Sequence, residues 1–324
     1  MNERPLLEVI DLKTYFFTLD GVVRAVDGIN FRMRHGETLC VVGESGSGKT
    51  VTALSLMRLV QEPPGKITGG QVVFEGNDLL RLTEAQMCRV RGKEIAMVFQ
   101  DPMTALDPLY RVGHQIEEAI EWHLHLDQKA RRERCYSLLR QVGIADPEAR
   151  ARDYPRQFSG GMIQRAMIAM ALSCNPKLLI ADEPTTSLDV TIQAQIIQLF
   201  REIQRKTGMA LMYVTHNMGV VADIAHRVMV MYAGTLVETA PVKVLFREPK
   251  HPYTLGLMRS VPRLDSSTGE QLAAIEGLPP DLIELPPACP FSPRCEYVME
   301  RCWNERPLLR QVGLDHQMAC FADL

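Results

Sequence analysis

The chain has 324 residues, of which 46% are hydrophobic and 23% charged, and its formal net charge is -3. This balance is that of an ordinary globular protein with one large domain and a smaller one, and it excludes a nucleic-acid binder that works by bulk positive charge. No segment approaches the roughly 18 uninterrupted apolar residues of a membrane-spanning helix. The first residues lack the basic, apolar pattern of a signal peptide. We therefore expect a cytoplasmic protein that can still dock on a membrane protein.

The predicted elements alternate between strands and helices along most of the chain. Residues 1 to about 40 favour strands, and apolar residues recur at helical spacing after Thr50. Mainly helical sequence is predicted at 101–176, and an amphipathic helix carries Ile192 and Phe200. Further strands are predicted at 95–99, 178–181, 210–215, 228–231 and 235–238. This alternation predicts an α/β fold with a mostly parallel sheet.

A glycine-rich segment, which we call the phosphate loop, lies between a predicted strand and a predicted helix. Its residues are Gly43, Glu44, Ser45, Gly46, Ser47, Gly48, Lys49 and Thr50. In a Gly-x-x-x-x-Gly-Lys-Thr segment the backbone N–H groups surround phosphate oxygens, and the following helix adds its positive end. Lys49 is suited to the β- and γ-phosphates, and the Thr50 hydroxyl to Mg²⁺. The flanking strand and helix disfavour the alternative, a glycine-rich turn with a surface lysine.

Polar side chains also follow other predicted strands. Asp182 and Glu183 come directly after the strand at 178–181, and Gln100 and His216 each end a strand. Ligands bind open α/β sheets at the carboxyl ends of the strands. Asp182 is therefore suited to the Mg²⁺ shell, and Glu183 to polarising an attacking water. A capped strand end before a proline turn is the alternative.

Two further strings identify a family. Phe-Ser-Gly-Gly-Met at 158–162 precedes a helix, and Thr-Ser-Leu-Asp at 186–189 follows the acidic pair. With the phosphate loop, Gln100 and His216, they resemble the nucleotide-binding subunits of ATP-binding cassette (ABC) transporters over roughly residues 5–245. The resemblance implies an ATPase with the ABC-type P-loop NTPase fold. That fold has a β-subdomain, a mostly parallel core sheet and a helical subdomain, here at about 101–176.

The resemblance also implies roles for the matched residues. The phosphate loop corresponds to the Walker A motif, Asp182 to the Walker B acid that holds Mg²⁺, and Glu183 to the general base. Gln100 would contact Mg²⁺ and the attacking water, and His216 the γ-phosphate. Three neighbouring aromatic residues are candidates to stack on adenine. Phe16 is the preferred candidate, and Tyr15 and Phe17 are the alternatives.

The string at 158–162 is the family's signature. Serine caps helices, and glycines expose backbone N–H groups at a positive helix end. Ser159, Gly160 and Gly161 are therefore suited to an anion site, and a plain helix cap is the alternative. In the family this signature contacts the γ-phosphate held by the opposite subunit, so ATP is sandwiched in a dimer. The D-loop of the family corresponds to Ser187-Leu188-Asp189, and Asp189 is a further nucleotide-site candidate. Met162 departs from the glutamine more often found there.

A narrower resemblance lies towards the C-terminus. His-Pro-Tyr-Thr at 251–254 and the residues to 260 resemble the oligopeptide, dipeptide and nickel importer ATPases. This implies an ABC domain at 1–245 and an extension at 246–324. It also implies a second homologous ATPase subunit, two transmembrane permease subunits and a separate substrate-binding protein. We expect the chain to be peripheral, on the cytoplasmic face of the cell membrane, with a peptide as the cargo.

Four cysteines cluster in this proline-rich extension: Cys289, Cys295, Cys302 and Cys320. Apolar periodicity fades there, so a metal crosslink would supply a missing constraint. The Cys-x2–4-Cys spacing of many zinc sites is absent. The resemblance points instead to a [4Fe–4S] cluster on these four thiolates, with zinc and no metal as the alternatives. His316 is expected to be a surface residue rather than a fifth ligand.

Other functions remain open at this stage. A soluble ABC-type ATPase of DNA repair or translation is one, although such proteins usually carry coiled-coil insertions or two fused cassettes. A nickel importer of the same subfamily is another. A regulatory subunit without hydrolysis is disfavoured, because Glu183 and His216 are both retained.

Overall fold

The fold is described from a computed structural model, which covers residues 4–186, 189–260, 275–283, 285 and 287–324. The chain divides into two compact units. The first comprises Met1–Leu80 and Val214–Leu324, and the second Arg81–Tyr213. Ser187 and Leu188, the first two residues of the predicted D-loop, lie outside the described residues.

Strands and helices follow one another along both units. The strands are β1 (Leu7–Phe17), β2 (Val22–Met33), β3 (Thr38–Val42), β4 (Gly65–Phe74), β5 (Asn77–Asp78), β6 (Ile95–Val98), β7 (Leu178–Asp182), β8 (Ala210–Thr215), β9 (Arg227–Tyr232), β10 (Thr235–Pro241), β11 (Arg310–Gly313) and β12 (His316–Met318). The helices are α1 (Lys49–Leu56), α2 (Glu84–Val90), α3 (Val112–Leu124), α4 (Gln128–Gln141), α5 (Pro147–Arg150), α6 (Gly160–Ala171), α7 (Val190–Thr207), α8 (Met218–Ile224), α9 (Val242–Arg247) and α10 (Pro252–Arg259). Among the described residues, none of these helices combines the length and the apolar character needed to cross a bilayer.

The first unit contains antiparallel and parallel strand pairs. An antiparallel sheet has the order β2-β1-β4-β5. A second set has the order β11-β12-β10-β9-β3, in which β9 pairs with β3 in parallel and the other pairs are antiparallel. All five residues of β3 are buried, as expected for a parallel strand covered on both faces. This buried strand leads directly into the phosphate loop.

The second unit is mainly helical around short buried strands. β6 and β7 pair in parallel, and the strand order is β8-β7-β6. Helices α3, α4 and α6 contribute the buried side chains Ile120, Leu139 and Met167 to its core. Asp127 caps α4 with its side chain, which accepts a hydrogen bond from the Ala130 amide. The helical stretch predicted at 101–176 is thus resolved into four separate α-helices, α3 to α6.

The mixed α/β fold and the strands predicted at 95–99, 178–181 and 210–215 are confirmed, with ends that differ by at most one residue. The strands predicted near 228 and 235 are confirmed as β9 and β10. No strand was predicted for β4, β5, β11 or β12. β4 contains two adjacent glycines, and β5, β11 and β12 are only two, four and three residues long, so none of the four gives a strong periodic signal.

The expected surface position of His316 is wrong. Its side chain is buried, and Nε2 lies 2.7 Å from Oε1 of the buried Glu238 in β10. The Glu238 carboxylate also accepts hydrogen bonds from the backbone N–H groups of Lys250 (2.8 Å) and His251 (2.9 Å). The pairing of β12 with β10 brings His316 to this carboxylate from 78 residues away. This network holds β12 against β10 within the first unit.

Candidate nucleotide site and cysteine cluster

The phosphate loop requires glycine at particular positions. Gly43, Gly46 and Gly48 have φ values of 153°, 77° and 99°. A Cβ on Gly43 would lie 2.3 Å from the Met231 carbonyl oxygen, and one on Gly48 would lie 2.3 Å from that of Ala25. Both the backbone angles and the available space therefore exclude larger residues at Gly43 and Gly48. Helix α1 begins immediately afterwards at Lys49.

The polar groups of the loop are suited to an anion. Lys49 is only 5% exposed, and its Nζ donates hydrogen bonds to the carbonyl oxygens of Gly43 (2.8 Å) and Glu44 (2.9 Å). The Ser47 hydroxyl is buried and has no hydrogen-bond partner among the residues that the structure describes. A buried cation, an unpaired hydroxyl and the amino end of a helix are together suited to bind phosphate oxygens.

The three aromatic candidates at the end of β1 have different surroundings. The Tyr15 hydroxyl donates a 2.7 Å hydrogen bond to Asp27, and burial together with this bond raises the pKa of Tyr15 to about 12. The Phe16 ring lies close to Gly65 of β4, where a Cβ would approach Cε1 to 2.9 Å. Phe17 is 51% exposed. His216 directly follows β8 and belongs to the first unit, and its side chain is also exposed.

In the second unit the structure brings together two of the predicted catalytic residues. Gln100 Nε2 lies 3.4 Å from Glu183 Oε2, and the Thr186 hydroxyl donates to the same oxygen at 2.9 Å. Asp182, the last residue of β7, is 2% exposed. Glu183 has φ 43°, in the left-handed region that costs a non-glycine residue about 1–2 kcal/mol. This turn directs the chain sharply away from β7 directly after the acidic pair.

The signature residues form the start of α6. Ser159 caps the helix, since its side chain accepts a hydrogen bond from the Met162 amide at 3.4 Å. Gly160 is exposed, and apart from its own helix and chain neighbours no atom of the described residues lies within 4 Å of the place where a Cβ would be; Gly161 is half-buried. Asp189 caps α7 in the same way, through the Ile192 amide at 2.9 Å. The amino end of α6 therefore presents open backbone that another molecule can approach.

The four clustered cysteines converge in the first unit. Cys289, Cys295, Cys302 and Cys320 all line one small cavity, which also contacts His251. All four are free thiols. Burial, with a further contribution from the neighbouring thiols, raises the pKa of Cys289 and of Cys295, the latter to about 11. Among the described residues no group of three or more His, Cys, Asp or Glu side chains has the geometry of a metal site. In donor chemistry alone, four cysteine residues along one cavity are a ligand set that a thiolate-bound metal takes.

Two contacts to the phosphate loop were not predicted from the sequence. The Tyr253 hydroxyl accepts a 2.7 Å hydrogen bond from the backbone N–H of Glu44 in the phosphate loop. Arg294, which precedes Cys295, forms an ion pair with the Glu44 carboxylate at 2.7 Å. The string at 251–254 marked the region of Tyr253, but no pattern in the sequence marked Arg294.

Comparisons with known proteins agree with this geometry. Residues 26–186 match the family "ABC transporter", and residues 237–302 match "Oligopeptide/dipeptide transporter, C-terminal region". The oligopeptide transport ATP-binding protein OppD of Bacillus subtilis is 51% identical over 311 residues, covering 96% of this chain and 87% of that protein. The dipeptide transport ATP-binding protein DppD of the same organism is 52% identical over 316 residues, covering 98% and 94%.

Solved structures give the same result for the fold. A dimeric ATP-binding cassette in a post-hydrolysis state with ADP and phosphate has a TM-score of 0.66 and 25% identity, covering 73% of this chain and 98% of that one. CbiO1 of Clostridium perfringens, part of an ABC transporter complex, has a TM-score of 0.64 and 26% identity, covering 76% and 92%. The chain therefore belongs to the ATP-binding subunits of ABC transporters, which are ATPases, and to the group with the oligopeptide/dipeptide C-terminal region.

Proposed function

We propose that this chain is the ATP-hydrolysing subunit of a peptide importer. The observation that carries the proposal is the phosphate loop, whose glycine geometry and buried Lys49 fit a nucleotide phosphate. The same chain contains the His251–Tyr253 segment. The names of OppD and DppD support di- or oligopeptides as the cargo. In domain terms, we propose an ABC domain at 1–245 and an importer-type extension at 246–324.

Each site residue then has a proposed role. Lys49 binds the β- and γ-phosphates, while Thr50, Asp182 and Gln100 hold Mg²⁺, directly or through water. Glu183 acts as general base towards the attacking water. The hydrogen bond between Gln100 and Glu183 supports this assignment, because side chains that act on the same Mg²⁺ ion and attacking water need to lie close together. His216 contacts the γ-phosphate and Phe16 stacks on adenine.

The signature implies that hydrolysis needs two chains. Ser159, Gly160 and Gly161 would bind the γ-phosphate held by an opposing ATPase subunit, and Asp189 would lie near that shared site. The exposed backbone at Gly160 supports this, since nothing in the described part of the chain fills the space beside it. We propose a second, homologous ATPase subunit as the partner.

The remaining partners follow from an import function. We propose that two transmembrane permease subunits hold the ATPase pair at the cytoplasmic face of the membrane, and that a separate binding protein delivers the peptide. Co-expression with a second ATPase subunit and two permease subunits of a peptide importer is expected to yield a complex whose ATPase activity in liposomes rises with peptide-loaded binding protein. Co-purification with nucleic acid or ribosomes instead would favour the soluble ABC-type ATPases.

We further propose that the four clustered cysteines hold a [4Fe–4S] cluster. The cavity that all four line supports this, and so does a loop-rich extension with few regular elements between Ser260 and Arg310 among its described residues. A bound cluster would crosslink four points of the extension and stabilise its fold. Zinc is the alternative ligand of the same thiols.

Metal analysis tests the cluster. Anaerobically purified protein is expected to contain about four iron and about four acid-labile sulfide per chain. Cys302→Ala, which removes a buried ligand, is expected to lose most of both, whereas Cys88→Ala in α2 serves as the matched control and should retain them. Stoichiometric zinc with almost no iron would overturn the cluster in favour of zinc, and neither metal would overturn the metal site itself.

A further inference from the structure

Arg294 occupies an unusually well-defined position in the first unit. Its side chain is 5% exposed, and hydrogen bonds use its whole guanidinium group. Nε donates to the Glu276 carbonyl oxygen (2.9 Å), and Nη2 also donates to that of Ile275 (3.3 Å). Nη1 also donates to the Tyr232 hydroxyl (3.3 Å). These contacts fix the planar group before any ligand arrives.

The remaining bonds of the guanidinium go to the phosphate loop. Nη1 and Nη2 each donate to one carboxylate oxygen of Glu44, at 2.7 Å and 3.0 Å. This is the bidentate geometry in which an arginine binds a carboxylate most strongly. The pKa of Arg294 is accordingly raised, first by its hydrogen bonds to Glu44. Both terminal nitrogens of Arg294 thus take part in the ion pair with Glu44, in addition to their bonds to Tyr232 and Ile275.

Glu44 is an unfavourable residue for an anion site. It is the second residue of the loop that receives the phosphates, and like charges at short range repel in a partly buried environment. Its backbone is also restrained, because its N–H donates to the Tyr253 hydroxyl and its carbonyl oxygen accepts from Lys49. The backbone of Glu44 is therefore held at both its N–H and its carbonyl, and its carboxylate is held by the two hydrogen bonds from Arg294.

We propose that Arg294 is a positioning residue for ATP binding, which neutralises the Glu44 carboxylate and holds it in a fixed orientation at the phosphate loop. The inference rests on the proposed binding of ATP to that loop. It adds a residue of the C-terminal extension to the nucleotide site, from the turn that directly precedes Cys295. Arg294 acts through Glu44 and not by touching the nucleotide.

The affinity of the full-length protein for a fluorescent ATP analogue with Mg²⁺ tests this. Arg294→Gln removes the charge and is expected to raise the Kd about tenfold, because one unpaired carboxylate then faces the phosphates. Arg294→Lys keeps the charge but cannot form the bidentate pair, so its Kd is expected to lie between those of the wild type and Arg294→Gln. The double variant Arg294→Gln with Glu44→Gln is expected to return to within about threefold, because the unpaired charge is gone.

The double variant separates charge balance from damage to the extension. It carries the same change at Arg294 as the single variant, so any lost folding or lost metal is common to both. As a matched control, Arg259→Gln removes an exposed arginine that pairs with Glu296, beside Cys295, at 3.1 Å, and it should leave the Kd unchanged.

The inference is overturned if Arg294→Gln binds the analogue as tightly as the wild type, or if the double variant binds as weakly as the single one. Absence of binding by the wild type is a different result, because it would contradict the proposed function of the phosphate loop itself.

Discussion

Glu183→Gln is expected to reduce ATP hydrolysis about 100- to 1,000-fold while ATP still binds. Glutamine has nearly the size of glutamate and can keep the hydrogen bonds to Gln100 and Thr186, but it cannot take a proton from the attacking water. Because bound ATP then persists, the variant should accumulate as an ATP-bound dimer with itself or with its partner subunit.

Phosphate release and light scattering with and without Mg²⁺-ATP measure the two effects. Glu202→Gln is the matched control, since Glu202 is an exposed carboxylate on α7 that accepts a hydrogen bond from Gln198. It should keep full activity. Hydrolysis by Glu183→Gln within about threefold of the wild type would remove Glu183 from its catalytic role.

Glu238→Ala is expected to lower the free energy of unfolding by about 3–5 kcal/mol. Glu238 is 0% exposed and is the acceptor for His316 and for two backbone N–H groups. The substitution leaves the buried His251 N–H and His316 ring without their acceptor, together with the part-buried N–H of Lys250, and each such group carries a desolvation penalty. The loss should exceed that from any exposed ion pair of the extension.

Urea denaturation, followed by tryptophan fluorescence and circular dichroism, measures the change. The comparison is Glu305→Ala, because Glu305 pairs with Arg301 on the surface, where the side chains are 55% and 59% exposed. That control should stay within about 0.5 kcal/mol of the wild type. A loss below about 1 kcal/mol for Glu238→Ala would mean that the buried network contributes little to stability.

Local sequence patterns predicted the elements that carry the chemistry. The buried runs at Thr38–Val42 and Leu178–Asp182 are short and mostly apolar, and they lead into the phosphate loop and into Glu183, for which we propose roles in ATP binding and hydrolysis. Such signals depend on neighbours within about ten residues, so they are visible in the sequence. The contact between Gln100 and Glu183 was expected in general terms only, because both residues end strands.

Long-range contacts could not be predicted in the same way. His316 is buried because β12 pairs with β10, and neither the length nor the composition of β12 indicates that pairing. Arg294 lies in a proline-rich turn, where an arginine is ordinarily a surface residue. Its partner, Glu44, belongs to the phosphate loop, and no sequence pattern near either residue indicates the contact between them.

The separation between these partners also sets the order in which the protein matures. Arg294 is synthesised 250 residues after Glu44, which corresponds to roughly 10–50 s of translation. Tyr253, the other contact from this part of the chain, follows Glu44 by 209 residues. A nascent subunit therefore has a complete Gly-Lys-Thr motif long before it has the arginine that balances Glu44. If Arg294 balances Glu44 as proposed, a nascent chain is expected to bind ATP more weakly until the segment with Arg294 has been synthesised and has folded onto the phosphate loop.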